Sequence, residues 1–243
     1  MYLRVHRRSP PGQQLARRVT LGLISPHTAD FLYHTAPLQY LPHILSSGAL
    51  YSQSVLAVKG IEPRAGAARR DRMLGLADWV HLSLRPDTPL LRDKLRKGYP
   101  HILLVFRRDA VLALPEVALL PYNTKAWRSR AAYMPITDLA EKAALLQRQH
   151  ETHQFPSLEV LVHYGLSLSA LSRIVFVSDK EKAIVLKTLR ALGISCLAPL
   201  ETALTLFPMP ESYLPTTGDA IAAYFDECRL VRRLLPPPNI PFD

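Results

Sequence analysis

A single carboxylate interrupts an apolar, strand-like run in the second half of the chain. The run covers residues 155–164 and reads FPSLEVLVHY. Strand alternation places Leu158, Val160 and Val162 on one face and Glu159 on the other. Burying a charge without a partner costs several kcal/mol, comparable to the ~5 kcal/mol that keeps a marginal domain folded. Glu159 must therefore meet water, a partner or a ligand, and the run alone allows both a solvated sheet face and a polar cleft.

A histidine far upstream, His34, is the second candidate for chemistry. Residues 31–50 read FLYHTAPLQYLPHILSSGAL, which predicts a strand, a turn and a short helix. Pro42 fits only the first turn of a helix, so the helix should begin near Gln39, and Gly48 should end it in a left-handed conformation. His34 then lies at a strand end, where an imidazole can reach into a cleft. The same position also suits an ordinary hydrogen-bonded histidine.

Two further stretches complete an ordered set of motifs. Residues 78–90, DWVHLSLRPDTPL, predict a strand that begins Asp-aromatic-Val and ends in a proline-containing loop before a helix. Asn123 follows a strand and loop over residues 117–122, and Glu159 lies in a segment of the form x-x-Glu-Val-Leu-Val. With the His-x-Thr strand and the Leu-Pro-x-Ile-Leu helix, this order resembles DarT-type DNA ADP-ribosyltransferases over residues 33–177.

The resemblance implies an α+β, ADP-ribosyltransferase-like fold, in which two small sheets with flanking helices surround a cleft for NAD, the co-substrate. Glu159 matches the family's catalytic glutamate. Near the ribose it would hydrogen-bond a hydroxyl, stabilise positive charge as the nicotinamide bond breaks, and help remove a proton from the attacking nucleobase. No glycine-rich phosphate loop follows any predicted strand, and the chain has only 10 glycines, which argues against a Rossmann or P-loop fold.

The resemblance also implies roles for other residues around the cofactor. His34 and Thr35 would contact the ribose or nicotinamide side of NAD, and Ser83 would hydrogen-bond the cofactor where some members carry an aromatic ring. The family uses an arginine between its first helix and second strand as well, and this interval holds Arg64, Arg69, Arg70 and Arg72. We favour Arg72 as a catalytic residue, because the apolar residues 73–76 that follow could anchor it.

The charge of the chain favours an anionic partner. Thirty Lys and Arg against 20 Asp and Glu give a net charge of +10 and a pI near 9.8. Cations interleaved with aromatic rings suit unpaired bases and their phosphates. They make residues 123–133 a candidate reader of single-stranded DNA, with the contact residues Asn123, Lys125, Trp127, Arg128, Arg130 and Tyr133. An exposed basic loop whose tryptophan packs on the protein body is the alternative.

Hydrophobic periodicity predicts one mixed domain over residues 30–210, preceded by a basic arm (1–29) and followed by a helix with a proline-rich tail (211–243). The predicted strands are 31–35, 79–84, 101–106, 159–163, 174–177 and 203–207. The predicted helices are 39–47, 89–96, 136–149 and 180–192. These elements do not alternate regularly, which favours α+β over a doubly wound sheet.

Other classes of function find little support. Two cysteines, Cys196 and Cys228, fit a reducing interior and a cytoplasmic location. No run approaches the ~20 apolar residues that span a bilayer. His150 and His153 have a helical spacing, but no Cys or carboxylate cluster accompanies them, so we expect no metal site.

Two functions therefore remain open. One is NAD-dependent transfer of ADP-ribose to a nucleobase, most simply in single-stranded DNA, with a macrodomain antitoxin as a possible partner, as the resemblance implies. The other is a nucleic-acid-binding module that keeps the scaffold without catalysis. RNA or protein as the acceptor is a variant of the first.

Overall fold

A computed structural model of the chain describes residues 30–61, 71–120 and 158–207, with the short pieces 135–138, 140–141 and 144–145. The predicted DNA reader (123–133), the basic arm (1–29) and the C-terminal segment (211–243) lie outside the described residues.

Short strands and helices alternate irregularly through the described ranges. The strands are β1 (Phe31–Pro37), β2 (Ala49–Tyr51), β3 (Trp79–Ser83), β4 (His101–Arg107), β5 (Val117–Leu120), β6 (Glu159–His163), β7 (Gly165–Ser167), β8 (Leu171–Phe176) and β9 (Leu200–Thr202). The helices are α1 (Leu41–Ser47), α2 (Gln53–Val58), α3 (Pro89–Arg96), α4 (Arg108–Leu112) and α5 (Asp179–Ala191). The predicted α+β class is confirmed.

The strands form a seven-stranded sheet in the order β5-β6-β3-β1-β4-β8-β9 and a two-stranded sheet of β2 and β7. Strand β1 pairs with β4 along its whole length, from Phe31–Arg107 to Pro37–His101. It joins β3 at a single pair, Tyr33–Ser83. The large sheet is therefore almost divided, and residues 34–37 of β1 and 79–82 of β3 face one another without a ladder. We call this region the β1–β3 gap.

The bounds of helix α1, which follows β1 in the chain, are set by local sequence. A 3₁₀ turn (Leu38–Tyr40) leads into α1, where Pro42 stands in the first turn. Leu41 and Ile44 are buried, and Gly48 ends the helix at φ 66°. The structure thus confirms the helix predicted from the proline and the glycine. These two residues fix where the chain turns after His34.

The two faces of the large sheet bury different side chains. One face carries the main core, to which Leu32, Val80 and Val160 belong. The opposite face carries two separate apolar clusters, one that includes Tyr33 and one that includes Leu161. On that face, the interval of the sheet between the two clusters therefore has apolar side chains on either side of it.

One row of paired residues crosses this interval. Tyr33 pairs with Ser83, Ser83 with Glu159, and Glu159 with Leu120. Directly opposed residues of antiparallel strands share a face of the sheet. Since Tyr33 belongs to one cluster and Leu120 to the other, Ser83 and Glu159 are the polar pair between them.

The prediction of a strand over 203–207 is wrong. The strand is β9, parallel to β8, and a 3₁₀ turn (Leu204–Leu206) follows it. Pairing with β8 selects residues 200–202, a non-local contact that local β propensity does not report. The predicted helix 136–149 begins late, because Ile136 forms an isolated bridge with Leu119.

Candidate active site

Glu159 is buried beside the β1–β3 gap and has an ionisable partner. It is the first residue of β6 and is 8% exposed. Its Oε2 lies 3.0 Å from Nδ1 of His81 in β3. His81 and Ser83 are two residues apart and share the face that carries Glu159. The structure thus shows a partnered carboxylate in a polar interval, and a solvated sheet face is excluded.

His34 reaches across the gap to the same residue. Its Nδ1 donates a hydrogen bond of 2.8 Å to the main-chain carbonyl of His81. A carbonyl can only accept, so the proton is on Nδ1 and Nε2 is left as an acceptor. Burial lowers the pKa of His34 to about 4, against the His81 carbonyl and with the help of the His81 charge. At pH 7 His34 is therefore a neutral imidazole that offers an acceptor nitrogen.

A second buried carboxylate, Asp71, acts on His81 through its charge. Asp71 is 6% exposed, and its Oδ2 accepts a 2.7 Å hydrogen bond from Nε2 of Gln53. Burial alone would lower the pKa of His81, but the hydrogen bond and charge of Glu159, followed by the charge of Asp71, raise it. The pKa of His81 therefore lies above the ordinary value for a histidine, chiefly because of Glu159.

The other predicted residues lie at different distances from this centre. Ser83 stands beside Glu159, and its Oγ accepts from the Arg85 backbone N–H at 3.2 Å. Thr35 is partly buried in β1, on the face of the sheet that carries Tyr33. Arg72 is exposed on a helical turn at 71–74, next to the buried Asp71. Arg64, Arg69, Arg70 and the six predicted DNA-contact residues lie outside the described residues.

The predicted site residues do not include His81 and Asp71, which the structure brings to its centre. Alternation along β3 could have placed His81 on the face of Ser83, but the β3–β6 pairing that brings it to Glu159 is not visible in either strand alone. Asp71 carries no signal of its own, since it stands in an otherwise basic stretch. Within the parts of the chain that the structure describes, no group of three or more metal-ligating side chains occurs and no helix is long and apolar enough to cross a membrane.

The nearly divided large sheet with a small two-stranded sheet beside it forms a DarT-like, ADP-ribosyltransferase-like fold, as solved structures show. Solved structures of two proteins share it. Thermus sp. 2.9 DarT in complex with NAD+ has a TM-score of 0.54 and 17% identity, over 73% of this chain and 97% of that chain. The same DarT in complex with ADP-ribosylated ssDNA has a TM-score of 0.56 and 16% identity, over 73% of this chain and 96% of that chain.

The second protein is Thermosipho africanus DarTG in complex with ADP-ribose. It has a TM-score of 0.55 and 13% identity, over 75% of this chain and 52% of that chain. No protein-family model and no curated protein sequence matches this chain. These likenesses confirm the predicted fold.

Proposed function

We propose that this protein is an ADP-ribosyltransferase that uses NAD as co-substrate and transfers ADP-ribose to a nucleobase in single-stranded DNA, with release of nicotinamide. The observation that carries the proposal is Glu159, a buried carboxylate held 3.0 Å from His81 at the edge of the β1–β3 gap. Support also comes from the fold, which is shared with a DarT bound to NAD+ and to ADP-ribosylated ssDNA.

Glu159 would do most of the chemical work. Breaking the bond to nicotinamide leaves positive charge on the ribose, and a fixed anion in a site shielded from water stabilises that charge efficiently. The carboxylate can also hydrogen-bond a ribose hydroxyl and help to take the proton that the attacking base loses. Its position in a rigid strand, between two apolar clusters, favours a constant orientation.

His34 would position the co-substrate without ionising. As a neutral imidazole at pH 7 with Nε2 as an acceptor, it can receive a hydrogen bond from a ribose hydroxyl or an amide. Ser83 and Thr35 would add hydroxyl contacts from the face of the sheet that carries Tyr33, and we keep Arg72 as the proposed cation of the site. The DNA strand would be read by residues 123–133.

A macrodomain antitoxin is the partner that we propose for this chain. The DarTG structure from Thermosipho africanus, which shares this fold, supports a toxin–antitoxin setting. Such a partner would remove the mark that the transferase leaves on DNA.

The substitution Glu159→Gln tests the proposal, because it keeps the shape of the side chain and removes its charge. We expect ADP-ribose transfer to labelled single-stranded DNA and release of nicotinamide to fall at least 100-fold, a loss of about 3 kcal/mol in transition-state stabilisation. Glu116→Gln is the matched control, since Glu116 is a carboxylate of the same molecule whose side chain is 67% exposed. That variant should keep wild-type turnover.

Two outcomes would contradict the proposal. Near-normal turnover by a folded Glu159→Gln protein would remove Glu159 from the catalytic role. A wild-type protein that binds single-stranded DNA but consumes no NAD with DNA, RNA or protein acceptors would be a binding module on this scaffold.

A further inference from the structure

We propose that His81 is the positioning residue of this site, and that one residue thereby aligns both Glu159 and His34. The inference rests on the proposed function and adds to it a group that holds the reacting carboxylate in place. Its imidazole holds Glu159 and its carbonyl holds His34.

The backbone register shows that the His81–Glu159 contact depends on side-chain orientation. Glu159 lies directly opposite Ser83, whereas His81 lies opposite Leu161. The glutamate therefore leans along β6, away from its direct neighbour, to bring Oε2 within 3.0 Å of Nδ1 of His81. The strand register alone therefore does not set this contact, and the two side chains reach each other diagonally across β3 and β6.

The surroundings of His81 suit a cation that faces two acids. The segment 71–76 is closed by a 2.7 Å bond from Leu76 N–H to the Asp71 carbonyl, and the charge of its buried Asp71 acts on His81. The groups that act on the ring are Glu159 from β6, Asp71 and the Leu76 backbone from this segment, and His34 from β1, which is neutral at pH 7. The hydrogen bond from Nδ1 to Glu159 is the direct contact of the ring with an acid, and Asp71 acts on it through its charge.

The His34 contact uses the main chain of His81, so substitution of its side chain leaves that contact available. The two functions of the residue can therefore be separated. A change at position 81 should affect the reacting carboxylate more than the binding of NAD, and thus kcat more than KM.

Two substitutions of similar size provide the kinetic test. Asn places its amide N–H near the position of Nδ1 of histidine, and Gln places it near Nε2, so only His81→Asn retains a donor toward Glu159. We expect His81→Gln to lower kcat at least about tenfold, with a smaller change in KM for NAD. His81→Asn should recover part of that loss.

The pH profile distinguishes positioning from simple structural support. Wild-type kcat should decrease on the alkaline side as the His81 imidazolium loses its proton, and this decrease should be absent in His81→Asn, whose donor does not titrate. His163→Gln is the matched control, because His163 forms a similar pair with Glu116 at 3.1 Å, at the other end of β6. Wild-type kcat in His81→Gln, or an unchanged alkaline decrease in His81→Asn, would overturn the proposal.

A measurement without turnover separates this inference from the proposed function. NMR titration of the His81 ring should show its pKa lowered in Glu159→Gln and in Asp71→Asn, because burial then acts with one anion fewer. An unchanged pKa in Glu159→Gln would overturn the inference even in an active enzyme. If the His81 pKa decreases as expected but the wild-type protein transfers no ADP-ribose, the result supports the ion pair and rejects the proposed transferase function.

Discussion

The buried His101 and the partly buried His34 and His81 show how the same side chain acquires different pKa values. Burial, opposed by the Tyr99 carbonyl and aided by the Lys94 charge, lowers the pKa of His101 to about 4, the same value as for His34. The anions beside His81 overcome burial and raise its pKa. Because proton binding is coupled to folding, a raised pKa and a lowered pKa have opposite effects on how the free energy of unfolding changes with pH. The contribution of His81 is complete below pH 6.5 and is lost as the pH rises through its raised pKa, whereas His34 and His101 destabilise the fold in acid.

His101 gives a testable acid effect. Between pH 6.5 and about 4 the unfolded histidine binds a proton and the folded one does not, so the free energy of unfolding should fall by ~1.4 kcal/mol per pH unit from this residue. Urea unfolding at several pH values should show that the free energy of unfolding falls more steeply with decreasing pH in wild type than in His101→Asn within that window. This slope is the change in the free energy of unfolding per pH unit. At pH 7–8 the two proteins should have equal slopes, because the residue is neutral in both states. Equal slopes at pH 5 would contradict the assignment.

Among the secondary-structure elements, the end of α1 shows most directly how one residue determines the chain path. Gly48 has φ 66°, and a Cβ at this position would meet no atom within 4 Å. Only the backbone conformation, and no clash, therefore requires glycine here. The next residue begins β2, which pairs with β7, so this turn connects the helix after His34 to the small sheet.

Replacement of Gly48 measures that requirement. Ala should lower the free energy of unfolding by about 1 kcal/mol, since an L side chain disfavours the left-handed conformation. Asn should cost less, because it adopts this conformation more readily than other L residues. The measurement is urea unfolding of both variants at one pH. Equal losses for Ala and Asn would show that the cost does not come from backbone conformation.

Local signals also explain which elements could be predicted from sequence. Helices α1, α3 and α5 lie within two residues of their predicted bounds, because Pro42, Thr88, Ser178 and Gly193 mark their ends locally. The edge strand β9 and the pair β2–β7 could not be predicted, since each depends on a distant partner. The site divides in the same way. Glu159 and His34 stand out by pattern, whereas His81 meets Glu159 across 78 residues of sequence.

At the scale of the whole molecule, the net charge of +10 bears on the proposed binding of DNA, which is a separate step from the proposed chemistry. The centre around Glu159 holds two buried acids, Glu159 and Asp71, which do not attract phosphates. Attraction must come from the surface cations, and the predicted reader 123–133 contains a concentrated group of them. Affinity for DNA and turnover should therefore respond to different substitutions.

Salt dependence tests this separation. If Lys125, Arg128 and Arg130 each neutralise one phosphate, they contribute about −2 to the slope of log K against log salt for a single strand, or about tenfold in affinity per threefold increase in salt. Fluorescence anisotropy with labelled single-stranded DNA, in the absence of NAD, should show this part of the slope lost when all three become Gln. Trp127→Ala should weaken binding by about 1–3 kcal/mol without changing the slope, because stacking releases no counterions. Glu159→Gln should keep both affinity and slope. A triple variant with the wild-type slope would place the phosphate contacts elsewhere on the basic surface, and residues 123–133 would then not be the reader.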